Sequence, residues 1–158
     1  MKQPRAVAIV GPSKSGKTAL IERLIVLAKS RGLKVAAVKH APQGVELDRP
    51  NSDSDRMFAS GADAVAIVGE DEAAIRTRVV PDVPSILGMF RDCDLVLFEG
   101  FKGSGLAKIE LIPQGEHPLD PPPSNIVARV SDSADSDVPR FSSHQIDELL
   151  EFILKGAF

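Results

Sequence analysis

The stretch Gly11-Pro12-Ser13-Lys14-Ser15-Gly16-Lys17-Thr18 fits the phosphate-loop pattern G-x-x-x-x-G-K-[ST]. Residues 6–10 before it (AVAIV) are an apolar run with the length of a buried strand. Residues 19–29 after it place apolar side chains at helical spacing. Strand, glycine loop and helix in this order are the context in which the pattern holds nucleotide phosphates. The start of the chain therefore predicts a nucleotide site.

Each position of the loop has its own physical reason. The two glycines of the pattern let the backbone turn tightly and approach a phosphate without a Cβ in the way. Successive N–H groups from Ser13 to Thr18 can point into one concavity at the positive end of the following helix. Lys17 supplies a charge for the β- and γ-phosphates, and the Thr18 hydroxyl is a candidate Mg²⁺ ligand. Lys14 either adds positive charge or faces water.

Composition restricts the class of protein. The chain has 158 residues, which predicts a single nucleotide-binding domain over 1–158. Its net charge of −3 provides no basic field for nucleic acid or anionic membrane. The single Cys93 excludes an intrachain disulfide framework. Residues 1–5 are polar and basic, and the apolar run that follows them is too short for a signal peptide or a membrane span. We therefore expect a cytoplasmic protein.

The apolar runs and turn residues predict an alternating order of strands and helices. This order predicts an α/β, P-loop NTPase-like three-layer fold with a mostly parallel central sheet, in which antiparallel edge strands are allowed. Residues 51–54 offer several capping side chains for the second helix, of which Asp53 is favoured; otherwise Asp53 belongs to a Mg²⁺- or phosphate-sensing segment. We expect Ser142 or Ser143 to cap the last helix, and the proline-rich residues 113–124 and acidic residues 131–137 to be loops. The predicted strands are 6–10, 33–39, 64–68 (buried), 74–80 (an edge), 94–99, 108–112 and 126–130, and the predicted helices are 17–30, 53–60, 85–91 and 144–154.

A carboxylate at the end of a strand is the second expected part of the site. The apolar strand 94–99 carries Asp94 and Glu99 at its ends, roughly 17 Å apart at about 3.3 Å per residue, so only one can lie near the phosphates. Ligands of parallel sheets sit outside the carboxyl ends of the strands, which favours Glu99. Glu99 would hold Mg²⁺ through water or orient an attacking water; otherwise it is a turn residue before Gly100.

Other polar residues follow the predicted strands. Lys39 and His40 come after the second strand, where the histidine is either functional or structural. Asp48 lies in the next loop, where Mg²⁺- or phosphate-sensing segments often run. Lys102 could reach a phosphate or a partner's carboxylate, or be a solvated loop lysine. Asp132, after the strand 126–130, is the best candidate for accepting the guanine N–H donors, and it is equally well an exposed loop residue.

With these residues collected, the chain resembles the MobB family, the GTP-binding adaptors of molybdopterin-guanine dinucleotide biosynthesis. The Lys-His and Glu-Gly-Phe-Lys blocks carry most of the specificity, because the glycine loop is shared by many families. The matching segments are residues 11–18, Val38-Lys39-His40, Asp48-Arg49-Pro50, Asp53-Ser54, Gly61-Ala62, Phe98-Glu99-Gly100-Phe101-Lys102, Lys108-Ile109-Glu110 and Ser131-Asp132.

The resemblance implies a cytoplasmic homodimer that binds GTP with Mg²⁺ and has weak GTPase activity at most. It would assist the molybdopterin guanylyltransferase, the enzyme that attaches GMP to molybdopterin, and could itself contact molybdopterin. An edge strand at 74–80 or 108–112 would join the dimer. The candidate catalytic residues are Lys17 and Glu99, the Mg²⁺ ligands Thr18, Asp48 and Glu99, and the nucleotide contacts Gly11, Ser13, Lys14, Ser15, Gly16, Lys17, Thr18, Ala19, His40, Lys102 and Asp132.

Three other functions fit the glycine loop. A small P-loop kinase would pass the phosphoryl group to a substrate hydroxyl, but residues 76, 78 and 91 are arginines that form no obvious lid segment. A nucleotide-dependent metallochaperone would share the fold, but the sequence has no His- or Cys-rich metal tract. An interaction module with a vestigial loop would bind no nucleotide.

Overall fold

The structure, a computed structural model, describes residues 3–45, 47–132 and 136–156. Within them the chain packs as two compact units. The first unit runs up to His40 and resumes at Ile86, and the second is Ala41–Ser85. The second unit is inserted in the sequence of the first. This division does not test the predicted single domain over 1–158, which stays a prediction. Of the expected acidic loop at 131–137, residues 133–135 lie outside the described part of the chain.

Strands and helices alternate along most of the chain. The strands are β1 Arg5–Val10, β2 Val35–Lys39, β3 Ala64–Val68, β4 Ala73–Thr77, β5 Leu95–Glu99, β6 Lys108–Leu111, β7 Ile126–Val130 and β8 Arg140–Phe141, and the helices are α1 Lys17–Ser30, α2 Asp53–Ala59, α3 Val83–Met89 and α4 Ile146–Lys155. The predicted bounds of α1 agree with the structure, and the other predicted elements agree within a few residues. The short strand β8 was not predicted.

A six-stranded sheet forms the first unit, in the order β2-β5-β1-β6-β7-β8. Every neighbouring pair in it is parallel. The predicted α/β fold with a mostly parallel sheet is confirmed. The antiparallel pairing allowed for its edges occurs instead in a separate two-stranded sheet, where β3 pairs with β4.

One face of the six-stranded sheet packs against α1 and α4. Their apolar sides meet alternate residues of the central strands, because side chains along a strand point to opposite faces in turn. The fully buried residues of this core are Val7, Ile9, Leu24, Ala28, Leu95, Leu97, Ile109, Ala128, Leu149, Leu150 and Ile153. The core fixes α1 over the sheet and thereby fixes the loop that precedes it.

The opposite face of β6 carries buried charge. Lys108 is 0% exposed and Glu110 is 1% exposed. Both bind the irregular segments that follow β5 and β6, through main-chain groups of residues 104, 106, 119 and 124. Irregular chain rather than a helix therefore covers this part of the face.

The strand predicted at 64–68 is observed as β3, but the prediction that it is buried is wrong. In β3 only Val65 is partly buried, and Ile67 and Val68 are 39% and 77% exposed. The physical reason is pairing: β3 has one neighbour, β4, in a hairpin of two strands. The face of the hairpin formed by residues 64, 66, 68, 73, 75 and 77 is exposed along its whole length.

The second helix starts at Asp53 as predicted, but the favoured N-cap is wrong by one residue. Ser52, and not Asp53, is the N-cap, and its hydroxyl accepts a hydrogen bond from the Asp55 N–H. Asp53 is the first helical residue, where its negative charge still favours the helix N-terminus.

The predicted caps of the last helix are also wrong. The helix begins at Ile146 after Gln145, whose side-chain oxygen accepts a hydrogen bond from the Ser142 N–H. Ser142 and Ser143 instead belong to the turn that leads out of β8. Asp147 and Glu148 supply the negative charge in the first helical turn.

The strand at 108–112 cannot be the free edge that was suggested for a dimer. Its main part, β6, pairs with β1 on one side and β7 on the other. Of the two suggested strands, only the one at 74–80, observed as β4, has an open side within the described residues.

Candidate functional site

The glycine loop joins β1 to α1 in the conformation that its sequence predicts. Gly11 and Gly16 have φ values of 155° and 92°, and Lys14 also has a positive φ of 60°. Gly16 is the N-cap of α1 in the left-handed region, and no side chain caps the helix. The helix N-terminus is thus left open to a ligand.

Position 11 requires a glycine, because the loop backbone there comes very close to the backbone of β6. A Cβ built on Gly11 would lie 2.6 Å from the carbonyl oxygen of Leu111, at the end of β6. The loop therefore packs directly against the carboxyl end of the neighbouring strand, and no larger residue fits there.

Thr18 and Glu99 meet across the loop. The Thr18 hydroxyl donates a hydrogen bond of 2.9 Å to the Glu99 carboxylate. The parallel register places Glu99 opposite Ile9 in β1 and opposite Lys39 in β2. The Lys39 ammonium lies 3.6 Å from the same carboxylate, whose side chain is 17% exposed. Asp94, by contrast, lies at the amino end of the sheet and accepts a hydrogen bond from the Lys34 N–H.

The Lys17 side chain folds back into the loop. Its ammonium donates to the carbonyl oxygens of Gly11, at 3.4 Å, and Pro12, and to the Ser15 hydroxyl at 3.3 Å. Burial lowers the pKa of Lys17; the Glu99 carboxylate raises it, and Lys102 and Lys39 lower it. An anion bound beside this ammonium would stabilise its charged form.

The segment after β5 is a strained turn packed on aromatic rings. Gly100 and Phe101 both have positive φ, 88° and 56°. The Phe101 ring lies 5.0 Å from the ring of buried Phe98 and 5.4 Å from the ring of His40. The His40 N–H donates to the Glu99 carbonyl. His40 therefore stands beside the site with a packing role, and its contact with nucleotide stays a prediction.

Two further predicted residues lie on the same unit. Lys102 is exposed directly after the turn, and its charge acts on the pKa of Lys17. Asp132 is exposed beyond β7 and lines a cavity of about 150 Å³ with Ser131 and residues 113–116. The Asp132 carboxylate accepts a hydrogen bond of 3.5 Å from the Ser143 N–H.

Asp48 belongs to the second unit. Its carboxylate accepts hydrogen bonds from the hydroxyls of Ser52, at 2.5 Å, and Ser54, and these hold its pKa below the usual range. Its role as a Mg²⁺ ligand stays a prediction. In the described ranges, no three His, Cys, Asp or Glu side chains cluster as a metal site would require.

Sequence reasoning missed two contributors to the site. Phe101 supports the turn, and Leu111 closes the loop from the next strand. The Glu-Gly-Phe-Lys block could have revealed Phe101, because an aromatic residue beside a glycine in a polar turn needs a packing partner. No local pattern could have revealed Leu111, because its contact depends on the order of the strands.

Residues 6–132 match the model of the family described as "MobB: Molybdopterin guanine dinucleotide synthesis protein B". The chain belongs to this family. A molybdopterin-guanine dinucleotide biosynthesis adapter protein of Escherichia coli is 29% identical over 94% of this chain and 91% of its own length. One of Haemophilus influenzae is 36% identical over 66% of this chain, and the match spans only 61% of that protein.

Solved structures of the MobB family share the fold. A crystal structure of molybdopterin-guanine biosynthesis protein B is 31% identical, with a TM-score of 0.74 over 95% of this chain and 97% of that one. Bacillus subtilis MobB is 24% identical, with a TM-score of 0.71 over 93% and 96% of the two chains. Nowhere in the described residues is a helix both long enough and apolar enough to cross a membrane.

Gly11→Ala tests the close approach of the loop to β6. The added Cβ meets a main-chain oxygen and the φ value is unfavourable, so we expect a loss of at least about 1 kcal/mol in the free energy of unfolding, measured by urea denaturation. The matched control is Gly88→Ala in α3, where no atom lies within 4 Å of the added carbon. Equal stability of the two variants would show that the loop does not pack against Leu111.

Proposed function

We propose that the chain binds GTP with Mg²⁺ at the 11–18 loop and acts as an adapter in molybdopterin-guanine dinucleotide biosynthesis, in the cytoplasm. The observation that carries the proposal is the Thr18–Glu99 contact of 2.9 Å at the N-terminus of α1. Family membership supports the pathway, and the glycine loop supports the ligand class.

The residues at this contact fit a magnesium-bound nucleotide. Hydroxyl and carboxylate oxygens are the ligands that Mg²⁺ takes, and it usually keeps several waters besides. Mg²⁺ held there would neutralise charge on the phosphate oxygens. Thr18 would bind the ion directly and Glu99 through water, with Lys39 holding the carboxylate in place at 3.6 Å.

The loop would bind the phosphates with its main chain and with Lys17. The N–H groups from Ser13 to Ala19 lie at the start of α1, where the helix dipole favours negative charge. The Lys17 ammonium would exchange the carbonyl oxygens of Gly11 and Pro12 for phosphate oxygens. Charge-assisted bonds to phosphate are stronger than those to neutral carbonyls, so the exchange favours binding.

The cavity beside Asp132 would hold the base. It is lined from the ends of β6 and β7, and Leu111 at the end of β6 already touches the loop at Gly11. A nucleotide with its phosphates on the loop could therefore place its base there. The Asp132 carboxylate can accept two N–H donors, as guanine presents on one edge.

Hydrolysis, if it occurs, would rest on few groups. Glu99 would orient the attacking water, while Lys17 would stabilise charge on the transferred phosphoryl group. An adapter needs bound nucleotide more than rapid turnover. Its partner would be the molybdopterin guanylyltransferase, and molybdopterin itself is a further candidate ligand.

The β3–β4 hairpin is the surface that we propose for the homodimer. Its outer face carries Val68, 77% exposed, and Ile75, 67% exposed, and Val79 and Val80 beyond β4 are exposed as well. Exposed apolar faces and unpaired strand edges promote association. A second copy packed against this face would bury these side chains, and pairing through the open side of β4, in the plane of the hairpin, would add main-chain hydrogen bonds.

Lys17→Ala should weaken GTP binding on the order of a hundredfold, because a charge-assisted contact to phosphate is lost. The measurement is equilibrium dialysis with GTP and Mg²⁺, with circular dichroism to establish folding. Lys29→Ala, at the exposed far end of the same helix, is the control and should bind as the unchanged protein does. Normal binding by a folded Lys17→Ala variant would remove the loop from the site.

Glu99→Gln should lower turnover more than affinity, because the amide oxygen can still accept the Thr18 hydroxyl while its charge and basicity are gone. Phosphate release under single-turnover conditions and the Kd for GTP give the two quantities. Asp94→Asn makes the matching change at the other end of β5 and should alter neither. Unchanged turnover in Glu99→Gln would take this residue out of the mechanism.

Ile75→Lys should shift the chain from dimer to monomer, because it places a charge at the centre of the outer hairpin face. Sedimentation velocity over a range of concentrations measures the change. Val26→Lys is the control, since Val26 is an equally exposed apolar residue on α1, at 70%. A dimer that survives Ile75→Lys unchanged would place the interface elsewhere.

A further inference from the structure

Lys108 is a buried lysine with an unusual set of partners. It is the first residue of β6 and is 0% exposed. Its ammonium donates to the main-chain carbonyl oxygens of Ser104 at 2.5 Å, Leu106 at 3.0 Å and Ser124 at 3.0 Å. Three donors meet three acceptors, so the hydrogen-bonding capacity of the group is filled.

No carboxylate in the described part of the chain offsets this charge. Burial lowers the pKa of Lys108, and no neighbouring carboxylate raises it again. Desolvating an ammonium is costly, and an apolar side chain of similar volume would avoid that cost. The function of this buried charge therefore lies in the chain segments to which its three carbonyl partners belong.

The first segment held by Lys108 leads to the phosphate site. The N–H and the hydroxyl of Ser104 donate to the Phe101 carbonyl at 3.0 and 2.8 Å. Phe101 sits in the strained conformation described above and directly precedes Lys102. The connection therefore runs from Lys108 through Ser104 to the turn that carries Lys102, whose charge lowers the pKa of Lys17.

The second segment leads to the cavity at Asp132. Ser124 ends the irregular stretch that begins with residues 113–116 in the cavity wall. Glu110, two positions along β6, holds the middle of the same stretch by accepting the Leu119 N–H at 2.6 Å. Lys108 thus binds both the turn after β5 and the segment after β6 with one ammonium group.

We propose that Lys108 is a positioning residue for nucleotide binding, which holds the 101–104 turn so that Lys102 faces the phosphates. It acts through this turn, because its ammonium donates to main-chain carbonyl oxygens and one of these belongs to Ser104. The inference rests on the proposed GTP site.

A double-mutant cycle with Lys102 separates positioning from plain structural support. GTP affinity is measured by calorimetry with Mg²⁺ for the unchanged chain, Lys108→Met, Lys102→Ala and the double variant. We expect Lys102→Ala to weaken binding roughly three- to tenfold in the unchanged chain, as for loss of a charge-assisted contact. In the Lys108→Met background, Lys102→Ala should weaken GTP binding much less. The logarithm of the fold-change should be less than half of its value in the unchanged chain.

Glu110→Gln provides the matched control cycle. It alters the buried partner of Leu119 without touching the turn that carries Lys102, so its effect and that of Lys102→Ala should multiply. The ratio of GTP to GMP affinity is the second readout. Lys108→Met should lower this ratio, because Lys102 acts on the outer phosphates, whereas a general loss of stability would lower both affinities alike.

A milder variant covers the case in which Lys108→Met does not fold. Ser104→Ala removes only the hydroxyl bond to the Phe101 carbonyl, and it should reduce the cost of Lys102→Ala in the same direction. Equal costs of Lys102→Ala in all backgrounds, or no cost in the unchanged chain, would overturn the proposal. Failure of the unchanged chain to bind GTP would overturn the proposed function as well.

Discussion

The site depends on the parallel pairing of β1 with both β5 and β6. Pairing with β5 sets Glu99 opposite Ile9, so the carboxylate stands beside the start of α1 and reaches Thr18. Pairing with β6 brings Leu111 against Gly11. Parallel strands end at one edge of the sheet, and chain-distant groups meet there because of strand order alone. A slip of one residue in β5 would turn Glu99 to the other face of the sheet.

The two faces of this sheet serve different purposes. The face under α1 and α4 is apolar and supplies the burial that stabilises the unit. The opposite face of β6 holds Lys108 and Glu110, which bind irregular chain by specific hydrogen bonds. Buried polar groups add little net stability, and they select one arrangement of the chain that they bind. In this molecule the segments so fixed are the ones that border the candidate nucleotide site.

The sequence predicted the parts of the fold whose signals are local. The glycine loop, α1, and the position of Glu99 at the carboxyl end of β5 follow from pattern and spacing. The same five residues, Ala-Val-Ala-Ile-Val, occur at 6–10 and at 64–68, yet the first copy is a central buried strand and the second an exposed hairpin strand. Their difference arises from their neighbours in space, which no short window contains. The contact of Leu111 with Gly11 and the hydrogen bond from Lys108 to the Ser124 carbonyl also join residues that are distant in the chain.

The most direct test of the account is a calorimetric titration of the chain with GTP in the presence of Mg²⁺, repeated with Mg²⁺ removed by EDTA. The Thr18 hydroxyl and the Glu99 carboxylate have the oxygen atoms that Mg²⁺ takes as ligands, so we predict saturable binding with Mg²⁺ and a large loss of affinity without it. An equal affinity for GTP with and without Mg²⁺ would contradict the assignment of the Thr18–Glu99 contact as the centre of the site. The absence of GTP binding in both conditions would contradict it as well.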